Sequence, residues 1–184
     1  AGQIATGTVA VGDEVVVLPS GTRTTIEAID TADGPLATAH AGHSVTLLLA
    51  DDVDVSRGDV ISAVADAPEP IQQFTATVCW LGDKPLRPGA RLLLKHGTRT
   101  TQAIVGTLDV LFDEQDLLLV DSPQSLELNQ IGRIAVQTAE PIVADDYGHS
   151  RESGSFLLID PAGGNTLAAG LVGDALDQLH LTPA

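Results

Sequence analysis

From Tyr147 to Val172 the chain reads YGHSRESGSFLLIDPAGGNTLAAGLV, a run that admits little besides two antiparallel strands joined by a tight loop. Ser153 and Gly154 supply the entry turn, and Phe156, Leu157, Leu158 and Ile159 form an apolar run of strand length. Asp160-Pro161 stops that strand, because proline has no N–H for the ladder and fixes its own φ. Gly163, Gly164 and Asn165 tolerate the left-handed conformations a sharp reversal needs, and Thr166 to Val172 returns as a second strand. The segment predicts a β-hairpin.

The rest of the chain is written in the same way. Val15-Val16-Val17-Leu18, Thr25 to Ile29, Val45 to Leu49 and Val60-Ile61 are short, β-branched and separated by Gly, Pro and Asp turns at hairpin spacing. Ala63 to Gln72 breaks the pattern with small residues and Pro68-Glu69-Pro70, a stiff connection lacking two donors. A second series of strands runs from Phe74 to Val143. Three Phe, one Trp and one Tyr are too few to build a core, so Val, Leu, Ile and Ala must fill it within the 43% of residues that are hydrophobic. The expected fold is all-β, two small antiparallel β-barrels: residues 1–66, a Pro-rich linker at 67–72, then 73–174. Residues 175–184 are expected to be a short helical or disordered tail, since only Leu171 to Leu181, with Leu171, Ala175, Leu176 and Leu179, has helical spacing.

The closing hairpin resembles the one that ends the last β-barrel of GTPases of the elongation factor Tu type. It is more similar still to its form in the GTPase subunits of bacterial sulfate adenylyltransferases. Tyr147, Arg151, Gly154, Phe156, Ile159, Asp160, Thr166, Ala169 and Gly170 all have counterparts there, while the asparagine usual in the returning loop falls on Gly164. The opening TGTVAVGDEVVVLPSG, with turns at Gly12-Asp13 and Pro19-Ser20-Gly21, looks like the second domain of these GTPases. Ala41-Gly42 followed by Ser44 to Ala50, and Ser56 to Ile61, match that domain's closing strands. Trp80, Pro85-Leu86, Pro88-Gly89 and Leu128 to Arg133 look like the sulfate-pathway version of the third domain. The resemblance spans nearly the whole chain.

It implies domains II and III of a sulfate adenylyltransferase GTPase subunit, a family that couples GTP hydrolysis to making adenylyl sulfate from ATP and sulfate. The implied partners are a GTPase domain in the same polypeptide, expected before Ala1, and a separate catalytic ATP sulfurylase subunit. Some members carry an adenylyl-sulfate kinase, which would follow Ala184. GTP and magnesium are expected only for the GTPase domain; this chain is expected to hold no catalytic, cofactor-binding or metal-binding residues. Two other readings remain open on sequence: an elongation-factor-like protein binding aminoacyl-tRNA, and a stand-alone binding module.

Charge bears on that choice. Asp and Glu number 25 against nine Lys and Arg, a net −16, and only Lys84 and Lys95 are lysines. Nucleic acid is bound by neutralising phosphates with cations, so this balance argues against it as a partner. No apolar run is long enough to span a membrane, and no signal segment opens the chain, so the expected location is the cytoplasm and no membrane partner is expected. Cys79, the one cysteine, reads as a small buried hydrophobe.

A phosphate-cradling loop ends in Gly-Lys-Ser/Thr, and neither lysine fits, since Lys84 follows Asp83 and Lys95 follows Leu94. Asp145 to Gly148 and Asp160 to Gly163 match an Asp-x-x-Gly switch pattern but read as turns. His40-Ala41-Gly42-His43 spells a phosphate-gripping His-x-Gly-His motif, which must open a helix after a parallel strand. Here it precedes strand-like Ser44 to Leu49 and reads as a hairpin turn with exposed histidines, too few for zinc. Asp51, Asp52, Asp54 and Asp59 read as a solvated loop, lacking calcium-loop spacing. Asp145, Asp146, His149, Arg151 and Glu152 read as a salt-bridged connection, or as a contact with the GTPase domain or a partner subunit. Ser20, Ser44 and Ser153 have no paired base in sequence.

Overall fold

The computed structural model describes residues 1–114 and 116–176, and among them there is no α-helix. The chain divides into two compact units, Ala1–Glu69 and a second beginning at Pro70.

The first unit contains β1 (Gly2–Gln3), β2 (Thr8–Ala10), β3 (Glu14–Leu18), β4 (Thr22–Thr31), β5 (Gly34–Leu36), β6 (Thr38–His40), β7 (Ser44–Leu49) and β8 (Val60–Ala63). Its strands run in the order β1-β7-β4-β3-β8, with β5 added to β4, and β2 pairs β6 as a separate ribbon. This path does not close on itself, so the unit is an open half-barrel. Val15, Ile26, Ile29, Ala39 and Val45 form its core, with Ile4, Val9, Leu47, Leu49 and Ile61 packed against them. The turns fall where glycine permits them: Gly12 and Gly21 take φ of 93° and 76°. A single 3-10 turn, Val64–Asp66, follows β8.

The second unit contains β9 (Ile71–Trp80), β10 (Arg91–His96), β11 (Arg99–Asp113), β12 (Leu118–Asp121), β13 (Ile131–Ile142), β14 (Ser155–Ile159) and β15 (Thr166–Val172). The order β10-β14-β15-β9-β13-β11 returns to β10, because β10 also pairs β11, and the result is a closed six-stranded antiparallel barrel. β12 hangs on β11 outside that ring. Closure abolishes the open edges of the six ring strands. Ala76, Val78, Trp80, Leu94, Val105, Ile134, Phe156 and Leu158 lie in one continuous core, with no Met and few aromatics, as aliphatic filling of a narrow barrel requires.

β14 and β15 are the closing hairpin, aligned Phe156 with Gly170 and Leu157 with Ala169, with a bulge between Leu158 and Ile159. Three sequence expectations need correcting. Ile71 and Gln72, expected in the linker, already belong to β9, because Ile71 pairs with Ile142. Leu171, which the helical spacing also took in, lies in β15 between Ser155 and Thr77, as the predicted strand Thr166 to Val172 has it. Ala175 and Leu176 form a turn, and Leu179 lies outside the described residues. Cys79 is half-buried rather than buried, since it alternates with the inward-facing Val78 and Trp80 and so takes the outer face of β9.

Candidate functional site

The residues between β13 and β14 form the polar cluster with the most internal order. Asp145 N–H donates to the Ser153 carbonyl at 3.3 Å, and the Ser153 hydroxyl donates to Asp145 Oδ2 at 2.7 Å. Tyr147 N–H reaches the Val172 carbonyl at 3.0 Å, and Val172 N–H returns to the Gly154 carbonyl at 2.8 Å. The loop is thereby stitched to the end of β15. Asp146 Oδ1 accepts from Gly148 N–H at 2.8 Å, and the Asp146 carbonyl accepts from His149 and Ser150 N–H. The expected salt-bridged connection is not what holds it. No ion pair joins Asp145, Asp146, His149, Arg151 or Glu152 among the described residues; Arg151 and Glu152 are exposed, while the Asp145 carboxylate serves the Ser153 hydroxyl and the Asp146 carboxylate a turn N–H.

His96, buried at 9% exposure on β10, bonds the Ser153 carbonyl through Nε2 at 2.7 Å. Serine, histidine and aspartate therefore meet here, a juxtaposition that the sequence, with 57 residues between His96 and Ser153, does not show. The wiring is structural. The imidazole grips the serine's backbone carbonyl, not its hydroxyl, so no base faces the hydroxyl in the sense nucleophilic catalysis needs. The cluster locks a loop and leaves Asp146, His149, Arg151 and Glu152 exposed as a surface.

The other sequence candidates stay apart. His40 ends β6, Gly42 takes φ of 90°, and His43 leads into β7, so the pair flanks a hairpin turn. The rings sit edge to face at 5.8 Å, and His40 Nδ1 pairs with the Thr8 hydroxyl at 3.0 Å. Asp51 Oδ2 accepts from the hydroxyl of Thr24 on β4, and Asp59 Oδ2 accepts from Ser56 N–H within its own loop. Asp160 accepts from Ala162 and Gly163 N–H, which makes the second Asp-x-x-Gly stretch an Asx-type turn. No group of three His, Cys, Asp or Glu among the described residues has metal-binding geometry. The residues do not fit GTP with magnesium. Lys95 lies on the strand β10 and Lys84 in the loop whose carbonyl accepts Trp80 Nε1–H, and neither stands in a glycine loop opening a helix.

Residues 73–173, more than half of the chain and most of the second barrel, match the family model described as GTP-eEF1A C-terminal domain-like. The chain belongs to that family. The bifunctional enzyme CysN/CysC of Mycobacterium tuberculosis H37Rv is 44% identical over 173 residues, covering 94% of this chain and 28% of its own length. Sulfate adenylyltransferase subunit 1 of Alteromonas mediterranea is 35% identical over 185 residues, covering 100% of this chain and 39% of its own length. The bifunctional enzyme NodQ of Rhizobium meliloti is 39% identical, and the chain covers 28% of it. The family member described here thus spans well under half of these relatives. Sup35 in complex with GDP shares the fold, at a TM-score of 0.85 and 23% identity, over 96% of this chain and 43% of that one. The resemblance read from the hairpin, and the all-β translation-factor fold it implies, are borne out.

Proposed function

We propose that this chain is the pair of accessory barrels of a sulfate adenylyltransferase GTPase subunit. The supporting observation is the 44% identity to CysN/CysC across 94% of the chain, which takes in both units. In the full-length protein, GTP and magnesium are held by a GTPase domain of the same polypeptide, and hydrolysis is coupled to adenylyl sulfate formation from ATP and sulfate on a separate catalytic subunit. The barrels do no chemistry. They are preformed bodies that dock on the GTPase domain and the catalytic subunit, so that a nucleotide-dependent loop movement becomes a larger displacement. The stitched loop at 145–154 is one such docking surface, because its exposed polar groups sit on a backbone held at both ends. The protein acts in the cytoplasm, and no helix among the described residues is long and apolar enough to cross a membrane.

The translation-factor reading is the weaker one, since the Sup35 likeness stands at 23% identity and the net charge of −16 opposes RNA binding. The test is reconstitution. The complete protein, co-expressed with the catalytic subunit of the same genome, should form adenylyl sulfate from ATP and sulfate in a GTP-dependent manner. Formation at the same rate without GTP, or none at all, overturns the reading.

A further inference from the structure

β12 stands apart from the rest of the second barrel. It pairs with β11 alone, and no strand among the described residues covers its other edge. Ser122 N–H donates to the Asp109 carbonyl at 2.9 Å, in line with the β11 register. By the two-residue alternation of an antiparallel ladder, Leu118 and Val120 then turn their N–H and C=O groups toward β11, and Leu119 and Asp121 turn theirs outward. No backbone bond among the described residues uses those outward groups. An open edge of this kind is a template for another strand.

The side chains narrow what that strand can be. Val120 lies opposite Leu111, which packs against the barrel core, so one face of β12 continues an apolar surface, and Val120 and Leu117 are 37% and 59% exposed. Asp121 lies on the other face, opposite Val110. Between Arg99 and Arg133 there is no Lys, Arg or His, while Asp109, Asp113, Glu114, Asp116, Asp121 and Glu127 all fall there. A second copy of this chain would set its own acidic hairpin against this one, and like charges across strands disfavour such a pair. A cationic strand gains from the same charges.

We infer that the outer edge of β12 takes up an extended protein segment in which apolar residues alternate with Lys or Arg, by strand addition. Backbone bonds to Leu119 and Asp121 supply the affinity. The apolar residues lie beside Leu118 and Val120, and the cations beside Asp121 and the acidic turn. Charge both repels self-pairing and selects the partner. The inference is independent of the sulfate-pathway reading.

The test uses the whole chain and a short fluorescein-labelled peptide alternating valine and lysine, with a valine–glutamate peptide as its counterpart. Anisotropy should show saturable binding of the cationic peptide that weakens with salt, and none of the acidic one. Hydrogen exchange at saturation should slow at the amides of Leu119 and Asp121. Leu119→Pro removes an outward donor without touching the β11 ladder and should weaken binding about tenfold or more. Asp121→Lys should weaken the cationic peptide and admit the acidic one, and it carries the test should the proline variant fail to fold. Absence of saturable binding, cationic-peptide binding by both variants as tight as by the unaltered chain, or protection that leaves Leu119 and Asp121 unchanged overturns the inference.

Discussion

The ring of Phe156 occupies the space that a side chain on residue 170 would need. A Cβ built on Gly170 runs into the ring carbons, and the two residues are direct partners across the β14–β15 hairpin. Phe156 also meets Phe74 edge to face at 5.8 Å, so the ring is held from two sides and cannot swing away. Gly170→Ala should therefore destabilise the second barrel by about 1–3 kcal/mol or more, the range for overpacking a tight core. Urea unfolding measures it. Adding Phe156→Leu should recover part of that loss, and strictly additive effects, within about 0.3–0.5 kcal/mol, would show that the two residues are not coupled.

Three other glycines should separate by what surrounds them. Gly164 has φ of 72° with open space around a Cβ, so Gly164→Ala should cost about 1–2 kcal/mol, the conformational penalty alone. Gly173 has φ of 90°, and its Cβ would collide with the Asp146 carboxylate. At Gly154 the Cβ would meet the Tyr147 backbone and the Ser150 carbonyl, the latter at 2.6 Å. Gly154→Ala and Gly173→Ala should thus lose clearly more than Gly164→Ala in the same urea series. Equal losses would mean that the 145–154 loop gives way freely.

The closing hairpin was legible because its signals are local. Asp160-Pro161 and Gly163-Gly164-Asn165 announce the reversal, and alternation places Phe156 and Leu158 inward. What escaped the sequence depends on distant partners. Ile71 joins β9 because Ile142 pairs with it, although Pro68-Glu69-Pro70 just before it favour a linker. Open closure of the first unit and full closure of the second are likewise settled by which strands meet, not by their composition. At the candidate site, the loop's polar residues were visible, but His96 was not. Its role rests on one bond to a backbone carbonyl, which leaves no trace in residue spacing. The edge strand β12 was hidden inside a long acidic and apolar stretch.

Calorimetry with GTP and magnesium should give no saturable heat for this chain. The expectation comes from the lysines: Lys95 sits within a barrel strand, and Lys84 lies in a loop whose carbonyl is engaged by the indole of Trp80. Phosphate binding needs backbone N–H groups converging at a glycine loop as well as a cation. A micromolar titration would show a nucleotide site built by other means and would remove the reason for placing GTP on a separate domain.

Trp80 supplies the most direct test of the second barrel's packing. Its side chain is 4% exposed, it shares the inner face of β9 with Phe74, Ala76 and Val78, and Nε1–H donates to the Lys84 carbonyl at 2.8 Å. Gly82 leaves room for the ring, since a Cβ there would come within 2.8 Å of it. Trp80→Ala should cost about 3–5 kcal/mol, as expected for deleting a large buried ring. Trp80→Phe keeps most of the apolar contact but leaves the Lys84 carbonyl without its donor, which should cost roughly 1–3 kcal/mol. Emission from this single tryptophan should be blue-shifted and protected from acrylamide. Red-shifted emission that quenches freely, with little loss of stability in Trp80→Ala, would place the ring at the surface and make it a candidate docking residue instead of a core one.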